Sequence, residues 1–140
     1  MTLVIDASVA LKWVLDEPQS DLAADLLSQD LIAPSLWLIE AANALWRRAQ
    51  QSQLTATEVT ERLVELLNAP VTSTAVDEDL LSAAELALEL GRPIYDCLYL
   101  AMAIREGAIV VTADRRFHDA VERSPARAGL VRLLSDIRSQ

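Results

Sequence analysis

The sequence predicts an α/β protein built on an open parallel sheet with helices on both faces. Three observations carry this. Short apolar runs such as Leu3-Val4-Ile5, Leu31-Ile32-Ala33 and Ile109-Val110-Val111 lack the polar alternation of a half-exposed strand, as expected of strands covered on both sides. Segments with helical spacing separate these runs, so the strands are joined by crossovers and not by hairpins. No internal repeat, low-complexity stretch or linker interrupts the 140 residues, which read as one domain spanning 1–140.

The elements follow in order. Residues 2–6 form a buried strand ending in Asp6, and residues 8–15 a helix stopped by Glu17-Pro18. A second helix covers 20–27, with Leu22, Ala23, Leu26 and Leu27 on one face, and residues 31–33 make a minimal strand before Pro34. The third helix, 36–50, shows a broad apolar face of Trp37, Leu38, Ile39, Ala42, Leu45, Trp46 and Ala49; Glu40, Asn43 and Arg47 share the opposite strip. A fourth, about 57–67, opens at Thr55 or Thr57, and only Thr55 has the acid, Glu58, at capping-box spacing. After Pro70 comes a strand at 71–75. A fifth helix, 78–90, is capped by Asp77, turns Leu80, Leu81, Ala84, Ala87 and Leu88 inward, and stops at Gly91. The sixth helix, 95–106, is almost wholly apolar, with Asp96 its only charge before Arg105. Strand 109–112, a helix at 114–122 and a strand at 130–133 complete the chain.

Composition narrows the function classes. The apolar fraction of 52% excludes disorder, and the longest strictly apolar run, 97–104, is too short to span a bilayer, which takes about 20 residues. The N-terminus has no basic region or small-residue cleavage site, and the single cysteine, Cys97, lies in the apolar helix as a core residue; together these point to the cytoplasm. The net charge is −9, and Lys12 with eleven arginines supplies all the positive charge. Nucleic-acid binding by so acidic a chain has to come from local arginine placement.

Four acids stand at structural boundaries. Asp6 and Asp114 each follow a strand, Asp96 lies in a first helical turn, and Glu40 sits on the polar strip of the third helix. Singly, each has an ordinary structural reading as a cap, a partner of the helix dipole or a solvated side chain. Jointly they read differently, because the carboxyl ends of parallel strands gather along the edge where ligands bind. Converging carboxylates repel unless a cation neutralises them, and an oxygen-only donor set suits Mg²⁺ or Mn²⁺. The chain has only three glycines, with no glycine-rich phosphate loop, and offers no serine–histidine pair. Metal-assisted phosphodiester hydrolysis needs neither.

Four sequence words now identify a resemblance: Val4-Ile5-Asp6-Ala7-Ser8, Glu40-Ala41-Ala42-Asn43, Tyr95-Asp96-Cys97-Leu98-Tyr99-Leu100-Ala101 and Val111-Thr112-Ala113-Asp114-Arg115-Arg116-Phe117. In order and spacing they span nearly the whole chain, which resembles a PIN domain, most of all the VapC-type toxins of bacterial toxin–antitoxin pairs. The resemblance implies a three-layer α/β/α sandwich around a mainly parallel five-stranded sheet in the order 3-2-1-4-5. It implies that Asp6, Glu40, Asp96 and Asp114 form an acidic pocket for Mg²⁺ or Mn²⁺, with Ser8, Asn43 and Thr112 supporting it. It further implies cleavage of single-stranded or structured RNA, tRNA among the candidates, to 5′-phosphate and 3′-hydroxyl ends. Inhibition by a cognate VapB-type antitoxin completes the picture.

Around this set, Arg47, Arg115 and Arg116 are candidate phosphate contacts, as is Lys12, one turn past Ser8, which pairs equally well with Asp16. Asp119 is a candidate fifth acid, and the lone His118 reads as a surface residue. Among the three tryptophans Trp37 is the expected partner contact. The apolar surplus predicts a homodimer and a groove for an antitoxin segment. Two rival readings stay open. One is a metal-dependent phosphatase, although Asp6-Ala7-Ser8 lacks the second aspartate of haloacid-dehalogenase-like enzymes; the other is a non-catalytic binding module with the same fold.

Overall fold

In the computed structural model, which describes residues 1–137, five strands build one sheet: β1 (Thr2–Ile5), β2 (Asp30–Pro34), β3 (Val71–Thr74), β4 (Ile109–Thr112) and β5 (Val131–Leu133). They stand in the order β3-β2-β1-β4-β5, and every neighbouring pair is parallel. This is the predicted α/β architecture and strand order. The chain steps one way from β1 through β3 and the other way from β4 to β5. Right-handed crossovers therefore set the two groups of helices on opposite faces.

Seven α-helices make the connections: α1 (Ala7–Ala10), α2 (Ser20–Asp25), α3 (Leu36–Gln50), α4 (Ala56–Leu67), α5 (Leu80–Leu90), α6 (Ile94–Glu106) and α7 (Arg115–Glu122). β1 is central and β4 beside it, and Val4, Ile5, Val110 and Val111 are fully buried. The register pairs Ile5 with Val111, so Asp6 leaves β1 level with Thr112 at the end of β4. No helix among the described residues is long and apolar enough to cross a membrane.

α6 is the internal helix. Every residue from Cys97 to Ala103 is buried, as the near absence of charge in this segment requires. Cys97 is a free core thiol that burial pushes up to about 11. The helix is entered through a tight link: Gly91 caps α5 in the left-handed region at φ 65°, where a side chain is disfavoured, and Pro93 stands at the N-terminus of α6. The capping box predicted at Thr55 is present, with Thr55 and Glu58 satisfying each other's backbone N–H groups.

Five expectations need correction. The first helix is short: α1 ends at Ala10 and tightens into a 3₁₀ turn at Leu11–Trp13. In α5 the buried positions are Ala83 and Leu86, while Leu81 and Leu88 are 82% and 87% exposed. The helix is apolar nearly all round, so its spacing alone does not single out the buried face. Asp79, not Asp77, precedes α5, and its buried carboxylate is gripped by Arg105 of α6 at 2.8 and 3.0 Å. In α3 the buried stripe is Trp37, Ala41 and Leu45, which leaves Ile39 and Trp46 outside. Trp37 is thus a core residue and not a partner contact. Its indole N–H donates to Ser73 Oγ at 2.8 Å, and its ring meets Trp13 edge-on.

Candidate active site

The C-terminal ends of β1 and β4 lie side by side in the middle of the sheet; Asp6 follows β1 directly, and Thr112 is the last residue of β4. Asp6 caps α1 and is almost completely buried. Its Oδ1 accepts from Ser8 Oγ at 2.5 Å and from the Val9 N–H at 3.3 Å, and its Oδ2 accepts from Thr112 Oγ1. Both hydroxyls also accept a backbone N–H: Ser8 Oγ from Ala113 at 2.9 Å, Thr112 Oγ1 from Asp114 at 3.0 Å. A hydroxyl has one proton to give, and each has given it to Asp6. Ser8 and Thr112 are therefore fixing elements that lock Asp6 in place, and neither is free as a nucleophile. Burial pushes the Asp6 carboxyl up to about 6, against the pull of these hydrogen bonds, and the Asp96 charge adds a smaller upward push.

The other three acids arrive from three elements. Glu40, on α3, is held by Tyr99 of α6, whose O–H donates to Glu40 Oε1 at 2.5 Å. Asp96 opens α6, and Asp114 caps α7 by accepting the N–H groups of Arg116 and Phe117 at 2.9 and 3.4 Å. Burial is the main cause raising the pKa of both Glu40 and Asp96. The Asp96 charge raises Asp6 and Glu40 further, and Asp114 raises Asp96. The four carboxylates therefore share one electrostatic field. Among the described residues, no three acidic, histidine or cysteine side chains stand close enough to grip a metal ion together.

Sequence reasoning missed the cation in this field. Arg92, in the link between α5 and α6, donates to Asp96 Oδ2 from Nε at 3.1 Å and from Nη2 at 2.6 Å; Nη2 also lies 3.8 Å from Asp114 Oδ2. Its place four residues before Asp96 was the available signal. Tyr99 was also missed as an orienting group, although it is a rare hydroxyl in an apolar helix.

The remaining candidates divide. Asn43 and Arg47 follow Glu40 along α3 and are exposed, as are Arg115 and Arg116 beside Asp114. Lys12 is drawn to the loop before α2, where Nζ donates to Pro18 O at 2.8 Å and lies 3.5 Å from Glu17, not Asp16. Asp119 is exposed and its carboxylate sits 2.9 Å from His118 Nδ1.

Comparison with known proteins converges on one family. The PIN domain model matches residues 3–122. Ribonuclease VapC3 of Pyrobaculum aerophilum is 33% identical over 130 residues, covering 90% of this chain and 97% of that protein. Among solved structures, PAE2754 from the same organism superposes with a TM-score of 0.73 at 20% identity, covering 96% of this chain and 90% of its own. VapC20 of Mycobacterium tuberculosis, a sarcin–ricin loop cleaving toxin, gives 0.66 at 19% identity, covering 84% and 94%. A toxin–antitoxin complex from Klebsiella pneumoniae gives 0.64 at 12%, covering 96% and 99%.

Proposed function

The chain belongs to the PIN-domain family, and from that premise we propose that it is a divalent-metal-dependent endoribonuclease, the toxin of a toxin–antitoxin pair. One observation carries the reading: Asp6, Glu40, Asp96 and Asp114 come from separate elements into one electrostatic field, in which the Asp96 charge pushes up Asp6 and Glu40 and the Asp114 charge pushes up Asp96. The donors fit a hard cation. They are carboxylate oxygens flanked by hydroxyls, and repulsion between them is relieved by added positive charge. Asp6, Asp96, Asp114 and Glu40 would hold Mg²⁺ or Mn²⁺. When bound, the cation supplies a more acidic attacking water and neutralises charge on the phosphate.

The residues of the chain prepare that reaction. Ser8, Thr112 and the Val9 N–H fix the Asp6 carboxylate in one orientation, so no reorganisation is needed as charge develops. Tyr99 occupies one oxygen of Glu40 and leaves Oε2 to the pocket. Hydrolysis adds the water oxygen to phosphorus and breaks the bond to the 3′ oxygen; a pocket carboxylate takes the water proton, the leaving 3′ oxygen takes a proton from solvent water, and the products end in 5′-phosphate and 3′-hydroxyl. Arg47, Arg115 and Arg116 are the exposed cations nearest in sequence to the pocket acids, and they supply phosphate contacts that the net charge of −9 otherwise lacks. A cognate VapB-type antitoxin and a second copy of the chain are the expected protein partners.

Cleavage of total RNA by the purified protein tests the reading, with Mg²⁺ or Mn²⁺, with EDTA, and with Asp6→Asn and Asp96→Asn alongside. Discrete metal-dependent fragments are expected, abolished in both variants. Cleavage that survives in both would place the activity outside this pocket. Absence of cleavage by every form, with RNA still bound, would favour the non-catalytic module.

A further inference from the structure

We propose that Arg92 is a built-in countercation that competes with the divalent cation for Asp96 and Asp114, and so sets the cation concentration at which the pocket fills. This rests on reading the pocket as a metal site. Among the described residues, Arg92 is the only cation within ion-pair distance of any of the four acids. Its fork places Nε and Nη2 on a single oxygen, Asp96 Oδ2, while Nη2 also leans toward Asp114. The Arg92 and Asp96 side chains are only 22% and 23% exposed, so water screens the pair poorly and the contact is stronger than a surface ion pair.

The backbone keeps the guanidinium near. Gly91 holds its left-handed turn, Pro93 has a fixed φ, and the Arg92 N–H is tied to Ala87 O at 3.3 Å. Short of a metal, Arg92 lowers the repulsion among the carboxylates and stabilises the empty pocket. A dication arriving at Asp96 and Asp114 meets both a repelling charge and oxygens already engaged. Filling the pocket therefore displaces the guanidinium from Asp96, at a cost comparable to one charged hydrogen-bonded pair.

Two roles for Arg92 predict opposite signs. A competitor, once removed, leaves tighter metal binding; a residue that merely positions Asp96 leaves weaker binding. Isothermal titration of the metal-stripped full chain with MnCl₂ separates them, comparing wild type, Arg92→Gln and Asp96→Asn. Arg92→Gln is expected to bind Mn²⁺ about tenfold more tightly, the loss of one charged hydrogen-bonded pair. Its melting temperature in EDTA should fall below that of wild type and recover on adding Mn²⁺. Should Arg92→Gln fail to fold, Arg92→Lys keeps the charge without the two-point grip, and a tightening of a few fold is expected. Unchanged or weaker affinity in a folded variant, with wild type still binding Mn²⁺, overturns the proposal and leaves the metal-site reading intact. Absence of binding by wild type overturns both.

Discussion

Asp6 concentrates the electrostatics of the site. Its pKa stands at about 6, against an ordinary value of 3.8, because burial penalises the charged form more than three hydrogen bonds favour it. In the metal-free protein the folded state therefore holds this proton more tightly than the unfolded chain. The sign is that stability is full below about pH 4 and falls as pH rises toward 6, by at most about 3 kcal/mol. Asparagine does not titrate, so urea denaturation in EDTA should show wild type losing stability relative to Asp6→Asn between pH 4 and 7. A difference that stays constant over that range would mean that Asp6 titrates near its ordinary value. Ser8 and Thr112 were legible through the family resemblance of the motifs that contain them: Thr112 ends β4, and Ser8 lies in α1 two residues past Asp6. Arg92 and Tyr99 were not. The Tyr99–Glu40 bond joins positions 59 apart, and Arg92 earns its place only through the turn geometry of Gly91 and Pro93. Neither relation leaves a periodic trace.

Among the elements, the pairing of α5 with α6 decides where Asp96 sits. Arg105 near the end of α6 grips Asp79 at the start of α5, and the Asp79 side chain is 5% exposed. The surrounding carboxylates, Asp79 first, hold the Arg105 guanidinium still more firmly in its charged form. Removing the arginine leaves a buried carboxylate without a partner, which costs far more than loss of a surface pair. Arg105→Ala is expected to destabilise the protein by about 3 kcal/mol, and Asp79→Asn by less, since asparagine buries no charge. Thermal melts of the two variants check the ranking, and equal small losses would show the pair to be a surface contact in effect. The strand order came from the family resemblance, while the strands and the Thr55 cap could be read from the sequence, since buried parallel strands and capping boxes have local signatures. The inward face of α5 could not. Apolar residues surround that helix, so the spacing of Leu81 and Leu88, which point outward, looks as core-like as that of Ala83 and Leu86.

Among the described residues, α5 and α3 each carry an exposed apolar stripe. Leu81 and Leu88 on α5 stand seven residues apart, hence on one helix face, and are 82% and 87% exposed; Ile39 and Trp46 on α3 repeat that spacing at 70% and 54%. Scattered exposed leucines need no explanation, but aligned ones on a helix do. The α3 stripe flanks Glu40 and Arg47, so the proposed antitoxin, laid along it, would pass beside Glu40. The α5 stripe is carried by a different helix and suits a second copy, whose like net charge of −9 makes an apolar contact the available one. Sedimentation of wild type at micromolar concentration should give the mass of a dimer. The double variant Leu81→Glu, Leu88→Glu should sediment as a monomer with an unchanged circular dichroism spectrum, because both side chains already face water in the isolated chain. A double variant that stays dimeric would move the contact off α5, and a monomeric wild type would remove the second copy, leaving both stripes to other partners.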